Sequence, residues 1–374
     1  MRLFQRFLNL LPVKRRKVVF ANFFGRGWGD NPKYIAAELM RQHAGYELVW
    51  LVSDRKKVIL PKGIRTVKLY SRWGRIELAT AGVIVNNVKN AFPLQKKPNQ
   101  YYIQTWHGDF PLKYIEKEAE SELSQKYLEE TQADSKQTDL LLSGSEFFSG
   151  IVRESFWYDG EIMEVGLPRN DLFFDTQSDI PRQIRSRLGL PEDMPMVLYA
   201  PTFRDHGEFF PFPDFKAVLA GLKQQTGREW ALLVRLHPND QQRAEEIQYS
   251  ERLLNGSFFS DTQELEKAAD LLITDYSSMM YDFALQRKPV VLFTPDMEEY
   301  RAHCRGLRPL FDELPFVRTN TNEELLRALP QLFDAAHQQR VDVFFRERIR
   351  YFDDGHASEK VVARINDVIS RGGK

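Results

Sequence analysis

The stretch Asp270-Leu-Leu-Ile-Thr-Asp-Tyr-Ser-Ser-Met-Met-Tyr-Asp282 indicates how this chain folds. Leu271 to Thr274 form a short apolar run that stops abruptly, which is typical of a buried parallel strand leading into a helix. Ser277 and Ser278 suit the start of that helix, where backbone N–H groups lack intrahelical partners and can bind an anion. The stretch therefore predicts either a phosphate site or an ordinary capped helix of an α/β domain.

Length and composition narrow the class of protein. The 374 residues suit two α/β domains better than one core. Lysine plus arginine and aspartate plus glutamate both number 52, so we expect no nucleic-acid partner. Cys304 is the only cysteine, which excludes an internal disulfide and favours the cytoplasm. No apolar run reaches the roughly 18 residues of a membrane-spanning helix.

Residues 1–17, MRLFQRFLNLLPVKRRK, combine apolar side chains with a basic end at Lys14 to Lys17. This pattern predicts a basic amphipathic helix on an anionic membrane surface. The alternative is a helix that packs on its own domain, because most apolar helix faces point to a core.

Repeated strand-then-helix patterns follow. They predict an N-terminal α/β domain over residues 18–177 and a C-terminal one over 178–374, whose last helix could pack back on the first. Predicted strands include Val18–Phe23, Glu47–Ser53, Ile64–Leu69, Gly82–Asn87, Leu140–Ser143, Met196–Ala200, Trp230–Leu236, Leu271–Thr274 and Val290–Phe293.

Two histidines follow predicted strands, His107 in Trp-His-Gly and His237 in Arg-Leu-His-Pro. Because histidine exchanges protons near neutral pH, one could take a proton from a hydroxyl while the other, protonated, binds a phosphate. Both could instead be structural.

Three arginines, Arg169, Arg204 and Arg235, lie at strand ends or in adjoining loops. Convergent guanidinium groups suit phosphate oxygens, whereas single ones more often form ion pairs. No Asp-x-Asp follows an apolar strand, so we expect no essential metal.

Several segments together resemble the CDP-glycerol glycerophosphotransferases of teichoic-acid synthesis. They occur in order between about Asn31 and Gly306. The segments are Gln104–Gly108 with Pro111–Lys113, Gly166–Asp171, Ala200–Asp205, Arg235–Pro238, Ile273–Ser278, Asp282-Phe283, Lys288-Pro289 and Asp296–Tyr300.

The resemblance implies an α/β fold with two Rossmann-like lobes facing a cleft, of the glycosyltransferase-B-like type. It implies transfer of a polyol phosphate from a CDP-activated donor such as CDP-glycerol to a lipid-linked or growing polymer acceptor, with release of CMP. It implies no cofactor, and a peripheral location on the inner face of the cell membrane. His107 would be the general base, and His237 with Arg204 would hold the diphosphate. The other implied donor contacts are Thr202, Arg235, Thr274, Asp275, Ser277, Ser278 and Asp282, and the implied acceptor side is Gly108, Lys113, Arg169 and Asn170.

The Trp-His-Gly turn departs from the family pattern, because Asp109 and Phe110 follow it and add a charge and a bulky side chain. The polyol, glycerol or ribitol, and the number of units transferred therefore stay open. A nucleotide-sugar glycosyltransferase of the same fold and a catalytically silent scaffold are the alternatives. Retention of both histidines and of Ser277-Ser278 argues against them.

Overall fold

Two parallel β-sheets, each in a separate compact unit, organise the chain. The computed structural model describes residues 2–42, 45–89, 91, 95–204, 210–237, 240–303 and 306–371. The first unit comprises Met1–Asp109, Ile115–Phe174 and Tyr351–Lys374, and the second comprises Phe110–Tyr114 and Asp175–Arg350. The predicted α/β class with two sheets is confirmed.

The sheet of the first unit has seven parallel strands. In chain order they are β1 (Lys14–Ala21), β2 (Glu47–Val52), β3 (Ile64–Lys68), β4 (Ala81–Asn86), β5 (Tyr101–Gln104), β6 (Leu140–Ser143) and β7 (Glu161–Glu164). Their order across the sheet is β3-β2-β1-β4-β5-β6-β7. Val18 and Phe20 contribute to one apolar core and Val19 and Ala21 to another, so β1 is covered on both faces.

Among the described residues up to Phe174, six helices accompany this sheet. They are α1 (Arg2–Leu10), α2 (Asp30–Arg41), α3 (Arg72–Thr80), α4 (Gln125–Gln137), α5 (Glu146–Ser155) and α6 (Asp171–Phe174), with short 3₁₀ segments at Glu116–Glu122 and Pro168–Asn170. Ser71, Ser124 and Ser145 cap α3, α4 and α5 by accepting a backbone N–H.

The sheet of the second unit has six parallel strands. They are β8 (Met196–Tyr199), β9 (Ala231–Val234), β10 (Leu253–Asn255), β11 (Leu271–Thr274), β12 (Val290–Phe293) and β13 (Val317–Thr319). Their order is β10-β9-β8-β11-β12-β13. The helices are α7 (Ile180–Arg187), α8 (Phe215–Thr226), α9 (Gln241–Glu245), α10 (Thr262–Ala268), α11 (Met279–Ala284), α12 (Met297–His303), α13 (Leu310–Glu313), α14 (Asn322–Leu332) and α15 (Ala335–Phe344), followed by a π-helical segment at Phe345–Ile349.

The last helix, α16 (Ala357–Arg371), belongs to the first unit. Its Val361 and Ile365 lie in the same apolar core as Ile35 of α2. The Asp171 carboxylate accepts hydrogen bonds from the backbone N–H groups of Ala357 (2.9 Å) and Ser358. The second unit therefore ends at Arg350, and the last helix packs on the first unit, the arrangement that the sequence analysis allowed for it.

The basic end of the N-terminal segment is part of the sheet. α1 ends at Leu10, and the cluster Lys14 to Lys17 begins β1. Lys17 is only 3% exposed and donates to Glu77 (2.7 Å) and Thr80 (2.9 Å). The interpretation of residues 1–17 as one surface helix with a basic rim is therefore wrong for Lys17, whose charge stabilises the first unit.

Each sheet reverses its strand order once. The reversal lies between β1 and β4 in the first unit and between β8 and β11 in the second. In open parallel sheets, ligands bind beyond the carboxyl ends of the strands at such switch points. The segments after these strands are therefore where functional side chains are expected.

Candidate functional site

In the first unit, His107 lies in a strained turn that follows β5. The preceding residue, Trp106, has φ +52°, which is rare for a bulky side chain and costs about 1–3 kcal/mol. The Trp106 N–H donates to Gln104 Oε1 (3.0 Å), and the Thr105 N–H donates to Asn86 O (2.8 Å). The turn is thus fixed to the carboxyl end of β4, at the switch point.

The imidazole of His107 is held in one tautomer. Its Nδ1 lies 2.9 Å from the backbone oxygen of Asn87, which can only accept a hydrogen bond. In the neutral ring Nδ1 therefore carries the proton and Nε2 the lone pair. Burial lowers the pKa of His107 from its ordinary 6.5, although the bond to Asn87 opposes this shift. At neutral pH His107 is thus a neutral base with Nε2 as the accepting atom.

Two residues predicted on the acceptor side, Arg169 and Asn170, are buried. The Arg169 guanidinium donates from Nη1 to Asp30 Oδ2 and to the backbone oxygen of His107, both at 2.9 Å. Asn170 is fully buried and donates to Asp353 Oδ1 (3.0 Å). Both side chains therefore join segments of the first unit, and their contact with an acceptor stays a prediction.

The other predicted acceptor residues lie in different units. Gly108 is partly exposed next to His107 in the first unit. Lys113 belongs to the second unit, where its backbone pairs with Leu307 and its Nζ lies 4.9 Å from the Tyr300 ring. The structure therefore does not place Lys113 in the domain to which it was assigned.

The two unusual residues after Gly108 are also accounted for. Asp109 is 1% exposed and accepts a hydrogen bond from the Gly144 N–H (2.7 Å). Phe110 is fully buried in the second unit and stacks on Tyr281, with ring centroids 5.8 Å apart. The Asp109 carboxylate and the Phe110 ring are thus accommodated by contacts inside their units.

In the second unit, four predicted donor residues and the neighbouring Phe203 follow three adjacent strands, of which β8 and β11 flank the switch point. Thr202 and Phe203 follow β8, His237 follows β9, and Ser277 and Ser278 follow β11. His237 is exposed and stacks on Phe203 with ring centroids 5.1 Å apart, and the other four are partly exposed. Ser277 Oγ accepts the Met279 N–H (3.3 Å) at the start of α11.

Arg204, predicted to hold the diphosphate, is bound to two carboxylates instead. It is 7% exposed and donates to Asp275 Oδ2 (2.8 Å) and Asp296 Oδ2 (2.7 Å). These carboxylates raise the pKa of Arg204 against the opposing effect of burial. Its ring neighbours include Phe210, 4.2 Å from the guanidinium carbon. The guanidinium therefore fixes the loops after β8, β11 and β12 to one another.

Two further predicted phosphate contacts are used inside the fold. Thr274 is fully buried, and its hydroxyl donates to Ala200 O (2.7 Å) between β11 and β8. Arg235 donates to Phe259 O (2.6 Å) in the loop after β10, and burial lowers its pKa. The Thr274 hydroxyl therefore joins two strands, whereas Arg235 is partly exposed and its contact with the donor stays a prediction.

The predicted aspartates are buried as well, at 2% exposure each. Asp275 accepts the backbone N–H groups of Thr202 (2.8 Å) and Tyr276 (2.6 Å) through Oδ1. Asp282 lies within α11. A direct ribose contact is thus not favoured for either, whereas the positioning role considered for Asp275 fits its contacts.

Sequence reasoning missed three residues that build these sites: Asp30, Asn31 and Asp296. The Asn31 side chain donates to the backbone oxygens of Thr105 (3.4 Å) and Trp106 (3.2 Å), and Asp296 binds Arg204. Asn31 and Asp296 lie within or at the edge of the segments that carried the family resemblance, and this was the available signal.

A sequence model of the family described as CDP-glycerol:poly(glycerophosphate) glycerophosphotransferase matches residues 3–367. The chain belongs to this family. The match covers both units and every predicted site residue, so the resemblance inferred from ordered motifs is confirmed.

Two curated relatives are teichoic acid poly(glycerol phosphate) polymerases. The one from Staphylococcus epidermidis is 30% identical and covers 93% of this chain and 50% of that protein. The one from Bacillus spizizenii is 28% identical and covers 96% of this chain and 94% of that protein. The chain thus spans about half the length of the first relative.

Solved structures of the wall teichoic acid polymerase TagF show the same fold. One has a TM-score of 0.84 at 28% identity and covers 98% of this chain and 93% of that chain. A histidine-to-asparagine variant of TagF that was soaked with CDPG has a TM-score of 0.85 and covers 100% and 93%. The predicted glycosyltransferase-B-like class is confirmed for this glycerophosphotransferase family member.

Metal-binding clusters and membrane-spanning helices are both absent from the described part of this family member. Within residues 2–42, 45–89, 91, 95–204, 210–237, 240–303 and 306–371, no group of three or more His, Cys, Asp or Glu side chains is arranged to hold a metal ion. Among the same residues, no helix is long and apolar enough to cross a membrane.

Proposed function

We propose that this chain transfers a polyol phosphate, glycerol phosphate in the first instance, from a CDP-activated donor to a hydroxyl of a lipid-linked or growing cell-surface polymer. The family membership supports this reaction class. The observation that carries the proposal is the neutral His107 imidazole at the switch point of the first unit, with Nδ1 bound to Asn87 O and Nε2 able to accept a proton.

The proposed reaction exchanges one P–O bond for another. The acceptor oxygen attacks the phosphorus that carries the polyol, the bond from that phosphorus to the oxygen of CMP breaks, and CMP leaves with the electron pair. His107 Nε2 takes the proton of the attacking hydroxyl, so the nucleophile forms as the bond forms. All atoms of donor and acceptor are then accounted for without a cofactor.

We place the donor phosphates at the exposed edge of the second unit. Ser277 and Ser278 offer hydroxyls at the carboxyl end of β11, and His237 offers an imidazole after β9. Thr202 follows β8, but its hydroxyl oxygen is buried. This is the edge where open parallel sheets bind phosphates. Arg204 supports this edge through Asp275 and Asp296 rather than by contacting phosphate.

The test is a product assay by mass spectrometry with CDP-glycerol, CDP-ribitol and UDP-sugars, using a lipid-linked disaccharide as acceptor. Glycerol phosphate transfer with CMP release is expected. Transfer of a sugar from a UDP donor would replace the proposal with the glycosyltransferase alternative, and ribitol phosphate transfer would change the polyol.

Two histidine variants separate the roles. His107→Gln should lower kcat by about 10²–10⁴-fold with little change in donor Kd, because a general base acts in the transition state. His237→Gln should weaken CDP-glycerol binding. His356→Gln is the matched control, since His356 is exposed and its imidazole pairs with Glu359 at the surface of the first unit. Equal loss of donor affinity in His107→Gln would contradict the base role.

We also propose that the first unit docks on an anionic membrane surface on the cytoplasmic side. α1 packs against α3, and both expose large apolar side chains, Leu10 at 84% and Trp73 at 67%. Exposed Arg72 and Arg75 flank Trp73. An aromatic side chain among cations suits the headgroup region of anionic lipid.

Sedimentation with phosphatidylglycerol vesicles tests this docking. Leu10→Ser with Trp73→Ala should reduce the bound fraction several-fold. Phe258→Ser, which changes a 63% exposed aromatic of the second unit, should leave it unchanged. Equal binding of the wild-type protein, the Leu10→Ser/Trp73→Ala variant and the Phe258→Ser variant would show that another surface, or none, contacts lipid.

A further inference from the structure

The turn that carries His107 is bound by side chains from two distant segments. Asn31, in the first turn of α2, is fully buried, and its Nδ2 donates to the backbone oxygens of Thr105 (3.4 Å) and Trp106 (3.2 Å). Arg169 Nη1 donates to the next backbone oxygen, that of His107, at 2.9 Å. Three consecutive carbonyl groups of the turn therefore have fixed donors.

These two side chains are themselves coupled. The Asn31 oxygen accepts the Arg169 N–H (3.1 Å), and the Arg169 guanidinium donates to Asp30 Oδ2 (2.9 Å). Arg169 and Asp30 are only 4% and 6% exposed, so their ion pair is little screened by solvent. The start of α2, the segment after β7 and the His107 turn thus form one hydrogen-bonded unit.

The strain in the turn shows what these bonds accomplish. Trp106 occupies the left-handed region, which persists only where surrounding contacts define the backbone conformation. Without donors for its carbonyl groups, the turn would relax and move the imidazole away from Asn87 O. Misplacement of a catalytic group by about 1 Å can cost about 10²-fold in rate.

We propose that Asn31 and Arg169 are positioning residues that hold His107 as a general base, a role that rests on the proposed function. They do not contact the acceptor. They fix the left-handed turn through its three carbonyl groups, so that Nδ1 stays on Asn87 O and Nε2 stays directed to the acceptor hydroxyl.

Asn31→Asp tests the proposal because it keeps the side-chain shape but replaces the donating amide by an acceptor. The Thr105 and Trp106 carbonyl oxygens then face a carboxylate and lose the Asn31 donor, while the Thr105 hydroxyl still donates to Trp106 O (3.0 Å). We expect kcat to fall by about 10²-fold with an unchanged Kd for CDP-glycerol.

The same substitution should change the titration of His107. The charged groups acting on His107 are Asp30 at the start of α2, Arg169 after β7 and Glu116 in the 3₁₀ segment. A new carboxylate at position 31 adds negative charge, which favours the imidazolium. We expect the NMR-measured pKa of His107 to rise by about one unit and the acidic limb of kcat to move with it.

The chain offers a closely matched control in Gln100, at the amino end of β5. Its buried amide also donates to two backbone oxygens, those of Leu78 and Ala81, both at 2.7 Å. Its oxygen also accepts a backbone N–H, that of Lys97 (2.9 Å). Gln100→Glu should therefore destabilise the unit similarly but leave the His107 titration and the pH profile unchanged.

Two outcomes overturn the inference. Either Asn31→Asp and Gln100→Glu give the same His107 titration and the same kcat, or Arg169→Lys is no more active than Arg169→Met. Arg169→Lys keeps a cation opposite Asp30 and should retain part of the activity. If Asn31→Asp does not fold, the comparison of Arg169→Lys with Arg169→Met tests the positioning role instead. Because the NMR titration needs no substrate, an inactive wild-type protein would contradict the proposed function and not this inference.

Discussion

Replacing Arg204 by methionine should destabilise the second unit far more than it alters the chemistry. The guanidinium is bound by Asp275 and Asp296 at 2.7–2.8 Å, and these side chains are 2% and 9% exposed. Removing one partner from a buried ion pair costs about 3–5 kcal/mol, because the other charges stay buried without compensation. Methionine fills a similar space beside the Phe210 ring, so a cavity adds little to this loss.

Arg185→Met provides the comparison within the same unit. Arg185 is equally buried and binds Asp270 at 2.9 Å at the amino end of the sheet, but the Asp270 side chain is 39% exposed. Water can solvate that carboxylate once the arginine is gone, so the loss should be about 1–2 kcal/mol, near the cost of one unmade charged hydrogen bond.

Hydrogen-exchange mass spectrometry measures how much each of the two substitutions lowers the stability of the second unit. Peptides that cover β8 and β11 report the opening free energy of the second sheet, and peptides that cover β4 and β5 serve as an internal reference. Unchanged protection of β8 and β11 in Arg204→Met, together with a fall in CDP-glycerol affinity, would contradict the structural role of Arg204. That result would make Arg204 a phosphate ligand, as its sequence context suggested.

Three further predictions follow from single contacts. Thr274→Val should cost about 1 kcal/mol in the protection of β11, because the hydroxyl bond to Ala200 O is lost. It should leave the KM for CDP-glycerol unchanged, and a tenfold rise in KM would restore Thr274 as a donor contact. Asp171→Ala removes the carboxylate that accepts the first N–H groups of α16. It should lower the stability of α16 by about 1–2 kcal/mol, which is measured as faster hydrogen exchange in this helix. Asp367→Ala, a substitution within the same helix, should not change the exchange. Since burial lowers the pKa of His107, the acidic midpoint of the kcat/KM profile should lie below pH 6.5, where the imidazole gains a proton; a midpoint above 6.5 would contradict the neutral-base assignment.

Local sequence patterns identified several elements to the residue. β6, β11 and β12 have the predicted bounds, because short fully buried runs are marked by neighbouring residues alone. The same patterns identified the strand ends that carry His107 and His237. They failed at the N-terminus, where the basic cluster, which looked like a helix rim, begins β1.

The roles of the charged residues could not be predicted in this way. Arg204 and Asp296 are 92 positions apart, and Arg169 and Asp30 are 139 apart. Whether such side chains meet a phosphate or one another depends on strand order across the sheet, which no local period encodes. Because a buried guanidinium cannot be solvated by water, it forms ion pairs with the carboxylates that lie beside it.

The sequence by itself determined the two α/β sheets, the strand ends that carry the two histidines, and the family, because strand periods, caps and motif order are local properties. The tertiary structure decided which residues could act in the chemistry. It did so because hydrogen bonds and ion pairs form only between groups that the strand order brings within about 3 Å. Thus Asn31 and Arg169 came to hold the His107 turn, and Arg204 came to bind two aspartates.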